Sequence, residues 1–224
     1  MERSVPYRLC IKLPAKWAML SKKTLRASEQ EREDIAKKRD EWRKFQEVVD
    51  ARRLVFLDES GLKTNMTRRY GRARNGKRCL DSAPCGHWET VTILSSIRLD
   101  GTTESLVFDG AVDRKMFDAY IKQCLALTLR HGDIVVMDNL NAHKSQEVRD
   151  VIRLHQAEVL FLPAYSPDFN PIEKMWSKVK QILRCIKPRT EEELFAATAI
   201  ALDAISAHDA KGWFNSCGYT ASQS

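Results

Sequence analysis

Two short apolar runs constrain this chain most: RLVFLD at 53–58 and DIVVMD at 133–138, each ending on an aspartate. Runs of this length and composition read as buried strands. The second is apolar throughout and reads as a central one. WETVTILSSIRL at 88–99 and TESLVF at 103–108 read as a hairpin turning at Asp100 and Gly101. EVLFL at 158–162 supplies a fifth strand. Residues 28–49 predict a charged helix with one narrow apolar stripe through Ile35, Trp42, Phe45 and Val49. Asp113 suits the N-cap of a second helix that runs to Leu129 and is stopped by Gly132. A third helix starts near Ser145. Asn170 and Pro171 open a fourth, carrying Ile172, Met175, Trp176, Val179, Ile182 and Leu183. A last helix is expected over 190–207, followed by a loose tail to Ser224. Three leading strands followed by strand–helix alternation predict an α/β fold, a mixed five-stranded sheet flanked by helices on both faces.

With 224 residues, 43% of them hydrophobic, the chain has enough apolar surface for a sizeable core, which excludes full disorder. No apolar run approaches the roughly 18 residues of a membrane helix. Residues 1–10 lack the apolar centre of a secretory signal, so a cytoplasmic protein with no membrane partner is expected. Cys79, Cys85 and His87 lie close together without the paired spacing of a zinc knuckle, and ordinary thiols are expected there.

The net charge of +7 is unevenly spread. Residues 1–53 hold 15 Lys and Arg against 9 Asp and Glu. Residues 63–78 hold seven basic groups and no acid: Lys63, Arg68, Arg69, Arg72, Arg74, Lys77 and Arg78. Residues 174–189 hold six and no acid, among them Lys174, Lys178 and Lys180. A solvated surface accounts for one such run. Two of them flanking strand-end acids point to a phosphate backbone.

An aspartate at a strand end is often only a turn former. Two of them, Asp58 and Asp138, on strands able to neighbour each other suit hard, oxygen-seeking cations such as Mg²⁺. A third acid, Glu173, falls in the first turn of the fourth helix. There it either closes a capping box under Asn170 or serves as a rigidly aimed ligand. Asp168, in the preceding loop, is the runner-up for a third ligand.

The segments LDESG, MDNLNAHKS and FLPAYSPDFNPIEKMWSKVK, with YGRARNGKR and WFNSCGY, resemble the DDE transposases, in particular the insertion sequence 630 family of the Tc/mariner superfamily. The 34 residues between Asp138 and Glu173 match its spacing, and the resemblance covers residues 54–219. It implies a ribonuclease H-like fold with Asp58, Asp138 and Glu173 as the catalytic, metal-binding triad. Two Mg²⁺ or Mn²⁺ ions would sit there, with Asp58 between them. Asn139, His143 and Lys144 would shape the site or touch DNA, and Glu59 would serve structurally. Trp176 and Met175 read as core. The implied reaction is cleavage at transposon ends followed by strand transfer into target DNA at TA. Double-stranded DNA, as terminal inverted repeats and as target, would be the partner of a homodimer.

Members of that family read their ends with N-terminal helix-turn-helix modules, and residues 1–50 have no room for two. Residues 1–50 are therefore expected to be a helical connector and remnant of a DNA-binding region, and 51–220 the catalytic domain. A fragment, a split-frame product and a decayed copy all fit. Against the transposase stand two other readings: a catalytically inactive DNA-binding remnant, and a ribonuclease H-like nuclease on structured nucleic acid.

Overall fold

The computed structural model describes residues 27–68, 70–71, 77–84, 86–139 and 145–220. Its strands are β1 (Leu54–Lys63), β2 (Thr90–Arg98), β3 (Thr103–Asp109), β4 (Ile134–Met137) and β5 (Glu158–Phe161). They form one sheet in the order β3-β2-β1-β4-β5. β1 pairs antiparallel with β2, and β2 antiparallel with β3; β4 pairs parallel with β1 and with β5. The helices are α1 (Glu33–Val48), α2 (Arg114–Gln123), α3 (Gln146–Leu154), α4 (Ile172–Ile186), α5 (Glu191–Asp203) and α6 (Ala207–Ser216). This is the mixed sheet flanked by helices that the sequence predicts, and it has the ribonuclease H-like arrangement.

Side chains of a strand alternate between faces, and here the alternation divides the core in two. Leu54, Phe56, Leu62, Ile134 and Val136 meet residues of α1, α4, α5 and α6 on one face. Val55, Leu57, Val135 and Met137 meet Phe117, Tyr120, Val148 and Ile152 of α2 and α3 on the other. α2 starts where expected, with the Asp113 carboxylate accepting from the Met116 N–H at 2.7 Å. It ends earlier, at Gln123, and a short 3-10 turn over Leu125–Thr128 completes the segment.

Two expectations are corrected. β1 does not stop at Asp58 but runs on to Lys63, because the ladder to β2 satisfies its backbone as far as Lys63↔Thr90. The tail is not loose over the described residues up to Thr220. α6 opens with a capping box between Ser206 and Asp209, and Phe214, Cys217 and Tyr219 are buried in the core. The hairpin turn rests against the start of α6. Gly101 has φ +87°, and a Cβ there would come within 2.9 Å of the Ala207 backbone nitrogen, so only glycine fits.

α1 is docked on the same face. Its Trp42 donates to the Tyr219 hydroxyl at 2.8 Å, and Gln46 to the Cys217 carbonyl at 2.7 Å. No helix among the described residues is long and apolar enough to cross a membrane.

Candidate active site

The register of the two central strands brings the first two acids together. Leu54, Val55 and Phe56 pair with Ile134, Val135 and Val136. Carried two residues on, the same register sets Asp58 against Asp138. Alternation turns both away from the α2/α3 side, towards the face that carries α4. Glu173 projects from the first turn of that helix. Asp58, Asp138 and Glu173 line one cleft of about 370 Å³, walled by Leu162 to Pro167 and by Asn139 and Asn170.

The cleft is electrostatically strained. Burial pushes the Asp58 carboxyl up to about 7 from 3.8, and the negative charges of Glu173, Glu59 and Asp138 add to the rise. The Glu59 backbone N–H opposes it, donating to Oδ1 at 2.9 Å. The Trp176 indole N–H donates to Oδ2 at 3.3 Å. Burial also holds the Lys180 ammonium below the usual lysine range, while Glu173 and Asp58 pull it the other way. Lys180 stands two turns beyond Glu173 on α4.

Glu173 does not close a capping box. No side chain caps α4, and the buried Asn170 Oδ1, on the cleft wall, has no hydrogen-bond partner. Among the described residues no three His, Cys, Asp or Glu side chains are gathered tightly enough to hold an ion between them. The three acids share a cleft without closing into a cage, as like charges do. The donor set nonetheless fits a divalent cation. It consists of carboxylate oxygens from three elements beside an unpartnered amide oxygen, with Asp58 pushed towards its neutral form by burial and by the negative charges around it.

Asn139 lines the cleft. His143 and Lys144 lie outside the described residues, as do Arg69, Arg72 and Arg74. Asp168, the runner-up ligand, is held by Arg39 of α1 at 2.7 Å instead. Met175 and Trp176 are buried in the core, but Trp176 also reaches the Asp58 carboxylate, which its helical spacing alone did not reveal. Lys178, expected to meet DNA, is used within the fold. Its ammonium donates to the Ala204 carbonyl at 2.7 Å and pairs with Asp209 at 2.6 Å, tying α4 to α6 and holding the Asp209 carboxyl well below the usual range. Lys174 and Lys180 are half-buried, and Lys77 and Arg78 exposed.

Described members of the two basic stretches meet each other. Arg68 contacts the Cys185 thiol at 2.7 Å, Arg189 donates to the Thr64 carbonyl at 2.9 Å, and Lys187 pairs with Asp81. Between them runs a groove lined by Lys63, Arg68, Tyr70, Gln181 and Arg184. Arg184 is eleven residues along α4 from Glu173, about 16 Å at 1.5 Å per residue.

The family described as DDE superfamily endonuclease matches residues 53–195, more than half of the chain. Two curated proteins of Caenorhabditis briggsae are similar. The transposable element Tcb1 transposase is 26% identical over 108 residues, 48% of this chain and 38% of that protein. The Tcb2 transposase is 24% identical over 98 residues, 44% and 34% of the two chains. The chain thus spans little more than a third of the curated relatives it matches. Among solved structures, the Mos1 transposase paired-end complex with left transposon end superposes with a TM-score of 0.68 at 17% identity, covering 89% of this chain and 64% of that one. The catalytic domain of Mos1 mariner transposase gives 0.59 at 14% identity, covering 87% and 91%.

Proposed function

The chain belongs to the DDE superfamily endonuclease family, and on that footing we propose that it is the catalytic domain of a Tc/mariner-type transposase, cutting DNA phosphodiesters and joining the freed ends to target DNA. The observation that carries this is the convergence of Asp58, Asp138 and Glu173, from two strands and a helix, on one cleft. Residues 51–220 form the catalytic unit in this reading, and residues 1–50 the connector from a DNA-reading part. The partners are duplex DNA, as transposon ends and as target, and a second copy of the chain. The setting is the bacterial cytoplasm. The relatives support the transposase reading: among the Mos1 structures are a paired-end complex with left transposon end and paired-end complexes with Mn and with Mg.

Asp58, Asp138 and Glu173 would hold the divalent ions, Mg²⁺ or Mn²⁺. When bound, a pair of such ions lowers the pKa of an attacking water or 3′-hydroxyl and neutralises charge on the leaving oxygen. The chain's own groups do the rest. Trp176 and the Glu59 amide fix the Asp58 carboxylate in one orientation. Pro163 to Pro167 wall the cleft on one side and restrict approach to it. The ammonium of Lys180 lies within the field of Glu173 and Asp58, where it can meet a phosphate oxygen. The basic groove around Arg68 and Arg184 lies about 16 Å from Glu173 along α4. At about 3.4 Å per phosphate, that is roughly five nucleotides from the cut.

A cleavage and strand-transfer assay on duplex DNA carrying the element's inverted repeat, with Mg²⁺ or Mn²⁺, tests the reading. Asp138→Asn is expected to abolish both products with the fold retained by circular dichroism; unchanged activity would sink the assignment. Binding offers a second check. Replacing Arg68 and Arg184 with Gln should flatten the slope of log affinity against log salt by about 2, one phosphate contact each. Lys178→Met should leave that slope unchanged, because its ammonium is spent on Asp209 and Ala204. A flattened slope for Lys178→Met and none for the Arg pair would reverse the assigned surface.

A further inference from the structure

We propose that Arg39, on α1, is a positioning residue for Glu173: it braces the loop that delivers that acid to the cleft. This rests on the reading of the cleft as the seat of phosphodiester chemistry. Arg39 is 4% exposed and lies 134 positions before Glu173 in the chain. Its guanidinium forms a fork on the loop. Nη1 donates to Ser166 Oγ at 2.6 Å and Asp168 Oδ1 at 3.0 Å, and Nη2 to Asp168 Oδ2 at 2.7 Å. The same group lies 4.4 Å from the centre of the Phe169 ring. One side chain thus fixes Ser166, Asp168 and Phe169 at once, in the bidentate geometry that a lysine cannot reproduce.

The loop needs outside support. Tyr165 has φ +56°, a left-handed conformation that a tyrosine rarely adopts. The turn over Pro167–Phe169 is a single 3-10 turn, and the helix that follows has no side-chain cap. Local backbone hydrogen bonds shape the turn, but no side-chain cap fixes the direction in which α4 begins, and with it the aim of Glu173 in its first turn. The support comes from the N-terminal segment and the C-terminus. Gln30 donates to the Tyr165 carbonyl at 2.6 Å, and Tyr219, itself held by Trp42, donates to the Phe169 carbonyl at 2.8 Å. Of these supports Arg39 makes the most contacts and is the only charged one. Desolvating a guanidinium is costly, and an apolar side chain would fill the same space at less cost; what the fork adds is a fixed orientation.

Two variants separate this role from plain stability. Arg39→Met keeps the apolar stem over Phe169 but loses the fork. Asp168→Asn removes the charge from a half-exposed carboxylate while keeping the side chain's size, so it disturbs the packing less than a change at buried Arg39. In metal-free protein, hydrogen exchange at the Phe169 and Asn170 amides, which bond to Ser166 and Pro167 carbonyls, is expected to quicken in both variants. The Mn²⁺ concentration for half-maximal cleavage should rise about 10-fold in each, as for partners that orient metal ligands. The double variant should be no worse than either single one, and Arg39→Lys should recover only part. If Arg39→Met fails to fold, Asp168→Asn decides alone. Unchanged exchange and an unchanged Mn²⁺ midpoint, beside a responsive wild type, would overturn the positioning role only. A wild type that neither cleaves DNA nor gains thermal stability with Mn²⁺ would overturn the proposed function and this role with it, while faster exchange in the variants would still show the brace.

Discussion

Asp58→Asn is expected to abolish cleavage and, in metal-free buffer at pH 8, to raise the melting temperature. The two effects share one cause. Asp58 is buried beside Glu173, Glu59 and Asp138, and its carboxyl titrates near 7 in the fold against 3.8 outside it. Between about pH 4 and 7 the folded chain keeps a proton that the unfolded chain has released, so stability falls as pH rises through that window. Above pH 7 the full cost is present, about 4 kcal/mol by the difference between the two values. An asparagine carries no charge but can accept only one of the two hydrogen bonds from Trp176 and the Glu59 amide. The lost bond returns about 1 kcal/mol, leaving a gain on the order of 3 kcal/mol for the variant. At pH 4 the advantage should vanish. Added Mn²⁺ should stabilise the wild type and not the variant, closing the gap by linkage. The loss of activity should be at least about 10³-fold, since in the proposed reading this carboxylate would hold the divalent ions. A wild type that melts above the variant at pH 8 without metal would refute the electrostatic account. Retained cleavage would refute the catalytic one.

The same residues show what a sequence exposes. Asp58 and Asp138 were legible because a strand-end acid after an apolar run is a local signal, read over six residues. Glu173 was legible as a first-turn acid, but the choice between cap and ligand was not. It depended on whether the Asn170 side chain caps α4, and in the fold no side chain does. Trp176 sits at core spacing on α4, and nothing in that spacing marks its indole N–H as facing an acid 118 positions earlier. Arg39 reads as one charge among many on a charged helix, because its partners lie 127 and 129 positions later. Lys178 shows the reverse error. An acid-free stretch reads as uniformly exposed, but helical geometry turns one lysine in three or four inward, here onto Asp209 of α6. The five strands and the two-faced sheet followed from periodicity. The extra length of β1 did not, because β2 supports it, not its own sequence.

Phe214→Ala is expected to cost about 3–5 kcal/mol, as for a fully buried aromatic truncated to a cavity. Against a typical domain stability of about 5–15 kcal/mol, that is about a fifth of the total at the least. The residue belongs to the segment whose composition reads as a loose tail. If it were loose, the substitution would change nothing. In the structure Phe214 is fully buried, edge-on to Phe56 at 5.3 Å and near Tyr219 at 6.1 Å. Urea denaturation should show a lower midpoint with an unchanged slope, the signature of lost stability in an otherwise two-state fold. Phe214→Leu, which keeps most of the volume, should cost less than about 1.5 kcal/mol. The consequence reaches the cleft by a short path. Phe56 lies two residues before Asp58 on the same face of β1, and Tyr219 holds the Phe169 carbonyl at 2.8 Å, in the loop that leads to Glu173. Below its melting temperature the Ala variant should therefore lose cleavage activity in larger proportion than folded protein, whereas the Leu variant should lose the two together. Activity in the Ala variant that tracks the folded fraction would mean that the C-terminal segment supports the sheet alone and leaves the acids where they are.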